Sequence, residues 1–116
     1  MQSANLQTNA LSDLIEKAHS PYHSCAYCMN ILKENGFEEL SLSSPWQLKK
    51  SGKYFVNVYG STCIAFTLGS SLENIPDLRI LTAHTDWPAF MIKPNPDMTV
   101  GQYHKLNVEP YGGIIY

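Results

Sequence analysis

"KYFVNVYGSTCIAFTL", residues 53–68, decides the fold. Two runs of β-branched and aromatic residues flank Gly60-Ser61. Such residues suit a pleated, half-buried surface, and glycine supplies the backbone freedom that a tight reversal needs. The pattern predicts an antiparallel hairpin with residues 53–57 and 63–68 as its arms. Cys63 alternates with apolar neighbours in the second arm and reads as a core residue.

Upstream of the hairpin the period is helical. "NALSDLIEKAHS" (9–20) places Leu11, Leu14, Ile15 and Ala18 on one face, with Asn9 or Ser12 as a cap. Ser20-Pro21 ends that helix and starts another over about residues 22–35, Ser20 capping and Pro21 in the first turn. Tyr22, Ala26, Met29, Ile31 and Leu32 are its apolar residues, and Gly36 suits the position just past its end. "FEELSLSSPW" (37–46) reads as a connector.

Downstream, "SSLENIPD" (70–77) reads as a loop. "LRILTAH" (78–84) is a continuous apolar run, the pattern of a strand covered on both faces. "FMIKP" (90–94) predicts another short strand and "NPDMTVGQ" (95–102) a polar loop. "YHKLNVEPYGGIIY" (103–116) predicts a strand or two, interrupted at Pro110 and Gly112-Gly113. Two helices followed by strands imply an α/β layered architecture with a mixed sheet. The apolar end, "GGIIY", suggests a chain cut inside an element.

The totals bound the function. A chain of 116 residues is one small domain or a piece of a larger one, and 44% hydrophobic residues can build a core. A formal net charge of −2 offers nothing to attract nucleic acid or an anionic membrane. No apolar run has the length of a membrane span, and no basic-then-apolar leader opens the chain, so a cytoplasmic protein is expected. Three cysteines, an odd count, argue against a disulfide framework.

The chemistry concentrates in "ILTAHTDWPAF" (80–90). Imidazole and carboxylate are both ligands for zinc and similar divalent ions. His84 and Asp86 are two apart, so on an extended segment they share a face, and the C-terminal end of a buried strand is where α/β proteins build sites. The plainer reading is a polar strand end, with His84 capping backbone groups and Asp86 starting a turn. "CAYC" (25–28), with His19 and His23 nearby, offers a second set of metal or redox groups. Mid-helix, however, such cysteines commonly pack as small apolar residues. His23 suits helix-start capping. His104 reads either as exposed strand polarity or as a group near an active site. Gly112-Gly113 is a backbone device, since neither a helix start nor a lysine follows it.

Four segments, in order, resemble the aspartyl aminopeptidase family, dodecameric metallo-aminopeptidases of the phosphorylase/hydrolase-like α/β fold. They are "SPYH" (20–23), "GKYFVNVYGSTCIAF" (52–66), "AHTDWPAFMIKPNP" (83–96) and "GQYHKLNVEPYGG" (101–113). Tryptophan before Pro88, the inserted Gln102 and "GGII" depart from the family pattern. The resemblance implies that residues 1–116 are an incomplete N-terminal segment of a catalytic domain. It implies His84 as a ligand to one of two divalent ions, zinc by the family's habit. Asp86 would be the catalytic-centre carboxylate that orients His84 or the base, and the Asp86–Trp87 peptide would be cis. The full enzyme would remove N-terminal residues, often acidic ones, from peptides.

A zinc site needs three or four protein ligands, and the segments matched here supply one. The isolated chain is therefore expected to be inactive and to hold no ion stably. Two rival expectations are a truncated remnant that only folds and self-associates, and a small His/Cys metal-binding module. A homo-oligomer is expected, with Ile114, Ile115 or Tyr116 buried between chains.

Overall fold

The computed structural model describes residues 2–71 and 78–113. The chain divides into two compact units, Met1–Asp86 and Trp87–Tyr116.

In the first unit, helices α1 (Gln2–Lys17) and α2 (Pro21–Glu34) precede strands β1 (Glu38–Leu40), β2 (Lys53–Val58) and β3 (Thr62–Thr67). The two ends of α2 are those the sequence predicts. Ser20 is the N-cap, its side chain accepting from the His23 N–H, and Pro21 follows in the first turn. At the other end Gly36 has φ 78°, the Gly36 N–H donates to the Lys33 carbonyl and the Phe37 N–H to the Leu32 carbonyl. This pair of bonds satisfies carbonyls the helix leaves open, and it requires the left-handed backbone that glycine adopts freely.

The sheet has the order β1-β2-β3, with β1 parallel and β3 antiparallel to β2, so it is mixed. β2 is the strand covered on both faces, Tyr54, Phe55 and Val56 all being buried. Tyr54 and Val56 point to one side, where they meet Leu40 and, less deeply buried, Val58, Phe66 and Leu68. Trp46 stacks on Phe66 with ring centroids 6.1 Å apart, and its indole N–H donates to the Ser41 carbonyl. The Lys49 N–H donates to the Tyr54 hydroxyl. The connector of the sequence analysis thus contains β1 and supplies part of the cover for this face. Phe55 points to the other side, where α2 lies on β2 and β3 and the Lys33 ammonium sits 5.7 Å from the Phe55 ring centroid. Alternation along β3 puts Cys63 and Ala65 on this same helix-covered face.

Two sequence expectations fail in this unit. Residues 78–83 form no strand; Leu81 is 99% exposed. A continuous apolar run becomes a buried strand only where ladders flank it and layers cover it. Here it lines, with residues 62–66, a cavity of about 500 Å³ and takes no place in the ladder. Leu11 and Ile15, the expected buried stripe of α1, are also exposed, while Ala18 just past the helix is buried.

The second unit is a two-stranded antiparallel ribbon, β4 (Ala89–Val100) and β5 (Tyr103–Tyr111). The polar loop expected over 95–102 is mostly strand. Register jumps from Ile92↔Val108 to Asp97↔Leu106, so residues 93–96 bulge opposite Asn107 alone. The bulge takes Pro94 and Pro96 out of the ladder, where they could not donate, and holds Asn95 at φ 54°. The reversal falls at Gly101-Gln102, and Pro110 pairs with Phe90 without ending β5. The Asp86–Trp87 peptide is trans, as are all described peptide bonds, which corrects the cis expectation. A cis bond before a residue other than proline costs about 3–4 kcal/mol, and trans is the ordinary state. Ile114, Ile115 and Tyr116 lie outside the described residues.

Because β2 is buried on both faces, truncating it opens a cavity between layers. Phe55→Ala should cost about 3–5 kcal/mol. Ile64→Ala, at a position 53% exposed, should cost roughly 0.5 kcal/mol or less. Urea unfolding of the two variants followed by circular dichroism checks the contrast.

Candidate metal-ligand segment

Residues 83–86 leave the exposed 78–83 run and return to the hairpin. The Thr85 hydroxyl donates to the Ser61 carbonyl, at 3.1 Å, in the turn between β2 and β3. That turn is itself held by the Gly60 N–H donating to the Asn57 side-chain oxygen, with Tyr59 and Gly60 both at positive φ. Thr85, the residue between His84 and Asp86, thereby ties the segment to the end of the hairpin.

His84 and Asp86 meet. His84 Nδ1 lies 2.8 Å from the Asp86 carbonyl oxygen and 3.2 Å from Asp86 Oδ1. Both neighbours are acceptors only, so the neutral ring carries its proton on Nδ1 and shares it between them. Nε2 is then left with its lone pair outward on a side chain that is 79% exposed. A ring fixed at one nitrogen by carbonyl and carboxylate, with the other nitrogen unprotonated, is how an imidazole is prepared to ligate a metal. His84 thus engages both the backbone carbonyl and the carboxylate of Asp86.

The donor set fits one coordination position. Among the described residues no group of three or more His, Cys, Asp or Glu side chains could hold a metal ion. The alternative set around "CAYC" does not assemble either. His23 Nδ1 is 2.8 Å from the Ser20 hydroxyl, as suits helix-start capping, and its ring meets His19 edge-on. His104 is on β5, opposite Thr99.

The cysteines instead come together elsewhere, a grouping that the hairpin and helix patterns each hint at and neither reveals alone. Cys25, Cys28 and Cys63 line a cavity of about 410 Å³ with Ile31, Leu32 and Ala65, and its remaining wall is Ala83, His84 and Thr85. Cys25 is fully buried, Cys63 half-buried and Cys28 exposed. Cys25 and Cys63 lie close enough for each to act on the other's thiol. Burial, then the neighbouring Cys25 and Cys28, push the Cys63 thiol up from 9.0 to about 11, and burial raises Cys25 as well.

The contact between His84 and Asp86 makes a spectroscopic prediction. Long-range proton–nitrogen correlation spectra should find neutral His84 protonated on Nδ1, and Asp86→Ala should weaken that preference without unfolding the chain. An Nε2-protonated ring in the wild-type chain would contradict the geometry.

Comparison with known proteins places the chain in a family. The model of the family described as Peptidase M18, aminopeptidase I zinc metalloprotease, matches residues 14–116. The chain is 47% identical over 106 residues to "Probable M18 family aminopeptidase 2" of Clostridium acetobutylicum, covering 90% of this chain and 24% of that protein. It is 40% identical over 104 residues to "Aspartyl aminopeptidase 4" of Saccharomyces cerevisiae, covering 88% of this chain and 21% of that one. A chain in the cryo-EM structure of the Ape4 and Nbr1 complex superposes with a TM-score of 0.80 and 31% identity, covering 97% of this chain and 22% of that chain. The chain thus spans about a quarter of the length of the relatives it matches.

Proposed function

The chain belongs to the M18 family of aminopeptidase I zinc metalloproteases, and on that footing we propose that it contributes the first metal ligand of a two-metal aminopeptidase centre, His84. The observation that carries this reading is the His84–Asp86 contact, which fixes Nδ1 and frees Nε2. In this reading residues 1–116 form the N-terminal segment of the catalytic domain. Asp86 holds the ring in place, and the remaining ligands and the general base belong to the larger part of the enzyme that the relatives contain. Divalent ions bound there would polarise the scissile carbonyl and supply hydroxide at neutral pH. The substrate class is peptides, from which the whole enzyme removes N-terminal residues, often acidic ones. The relatives called aspartyl aminopeptidases support that preference. A cytoplasmic setting fits the reading. Among the described residues no helix is long and apolar enough to cross a membrane.

One ligand and its orienting carboxylate do not fix a hydrolytic ion. The isolated chain should therefore show weak zinc binding, seen as perturbation of the His84 ring signals, and no hydrolysis of acidic, basic or apolar aminoacyl substrates above background. Asp86→Ala should weaken the zinc response about 10–100-fold. A zinc response unchanged in His84→Ala would remove His84 as a ligand. Hydrolysis that follows the protein through purification and vanishes in His84→Ala would show that the chain is a complete centre.

A description of the chain as a non-catalytic piece that folds and self-associates is favoured by its uncovered apolar residues. Phe90 and Tyr103 are each 72% exposed on a two-stranded ribbon, a form that is marginal in water without a covering layer. We propose a homo-oligomer in which the side-chain face of β4–β5 is buried between copies. Light scattering over a range of concentrations should show concentration-dependent mass, reduced in a Phe90→Ser, Ile92→Ser double variant. A monodisperse monomer at every concentration would overturn this.

A further inference from the structure

Three thiols facing one cavity serve no purpose in the peptidase reading. α2 carries Cys25 and Cys28 one turn apart, and β3 carries Cys63 on the sheet face that α2 covers. Cys25 and Cys63 line the same cavity from the two sides of the helix–sheet interface. The third, Cys28, is exposed at the rim of the same cavity, where a small solute reaches it. The other lining side chains are mainly apolar.

We propose that Cys25, Cys28 and Cys63 form a modification site that a hydroperoxide oxidises to a Cys25–Cys63 disulfide, joining α2 to β3. The oxidant meets the exposed Cys28 first. Its sulfur attacks the O–O bond, becoming a sulfenic acid and releasing an alcohol, or water when hydrogen peroxide is used. Cys63 then attacks the sulfenic sulfur; the S–O bond breaks, water leaves and a Cys28–Cys63 disulfide forms. Cys25, which lines the same cavity as Cys63, displaces Cys28, which departs as a thiol with the proton from Cys25. The net change is two thiols and one hydroperoxide to one disulfide, one alcohol and one water. The final bond rests on Cys25 because that sulfur is fully buried, which shields it from reducing thiols. The cavity's opposite wall is Ala83, His84 and Thr85, so the cross-link sets the position of the layer beneath the His84 segment. The inference rests on the cysteine geometry alone and is independent of whether His84 binds metal.

The test uses the full 116-residue chain and hydrogen peroxide, with acid quench, alkylation and peptide mass spectrometry. Cleavage after Tyr27 separates Cys25 from Cys28. The expected product is a Cys25–Cys63 link, reversed by dithiothreitol, that forms about tenfold or more faster in the folded chain than in urea. Cys28→Ser, a change at an exposed site, should give the same link about tenfold more slowly. A dominant Cys25–Cys28 link, intermolecular disulfides, or over-oxidised Cys28 beside intact Cys63 would overturn the proposal. So would equal rates in folded and unfolded chains. An unchanged rate in Cys28→Ser would overturn the relay through Cys28.

Discussion

Everything in the first unit depends on β2 being buried on both faces. A strand in that position must satisfy two conditions at once. Its backbone needs a ladder on each edge, which β1 and β3 supply, and its side chains need a layer on each side. Tyr54 and Val56 find theirs in Leu40, Phe66 and the neighbouring connection; Phe55 finds its cover under α2. The core is small, so each of these side chains carries a large share of it. Remove the helix or the connection, and the central strand would present apolar surface to water.

The candidate site inherits its position from that arrangement. β2 and β3 are held in register by the buried pairs, and their connecting turn is closed by Asn57 and Gly60. Thr85 anchors on the carbonyl of Ser61 in the same turn, which sets the stretch carrying His84 and Asp86. A tightly packed strand thus places an exposed imidazole without itself touching it. The helix-covered face of β3 does the same for thiols, since the register that buries Phe55 also points Cys63 at α2.

Local signals in the sequence were reliable where the physics is local. Ser20-Pro21 and Gly36 mark α2 because caps act within a turn of the helix, and the reversal at Gly60 is marked because positive φ has few suppliers. Signals that depend on partners misled. The apolar run 78–83 promises a covered strand, yet cover is a property of neighbours, and the described residues provide none. β1 is three residues long and too short to show a period, so its parallel pairing with β2 was hidden inside a connector. The stretch Pro94-Asn95-Pro96 has the composition of a loop and is a bulge, because a strand tolerates proline where it leaves the ladder. His84 and Asp86 were legible as a pair from their spacing and the family resemblance. Which nitrogen Asp86 engages was not, since that depends on the turn bringing its carbonyl and its carboxylate to one side of the ring.

The prolines of the ribbon have a consequence for how this surface can meet other molecules. A two-stranded ribbon has two open borders, and each bare N–H along them is an invitation to a passing extended peptide. Pro94 and Pro96 on one strand and Pro110 on the other have no N–H to offer, and the bulge further breaks the even spacing that an incoming strand would have to match. Amyloid-like stacking is discouraged on the same ground, since it demands long uninterrupted rows of paired amides. What stays open for recognition is the pattern of side chains, Phe90, Ile92 and Leu106 among them, which discriminates by shape where a backbone ladder accepts almost any sequence. A molecule that docked on the ribbon would have to match those side chains, because the borders offer only an interrupted row of amides.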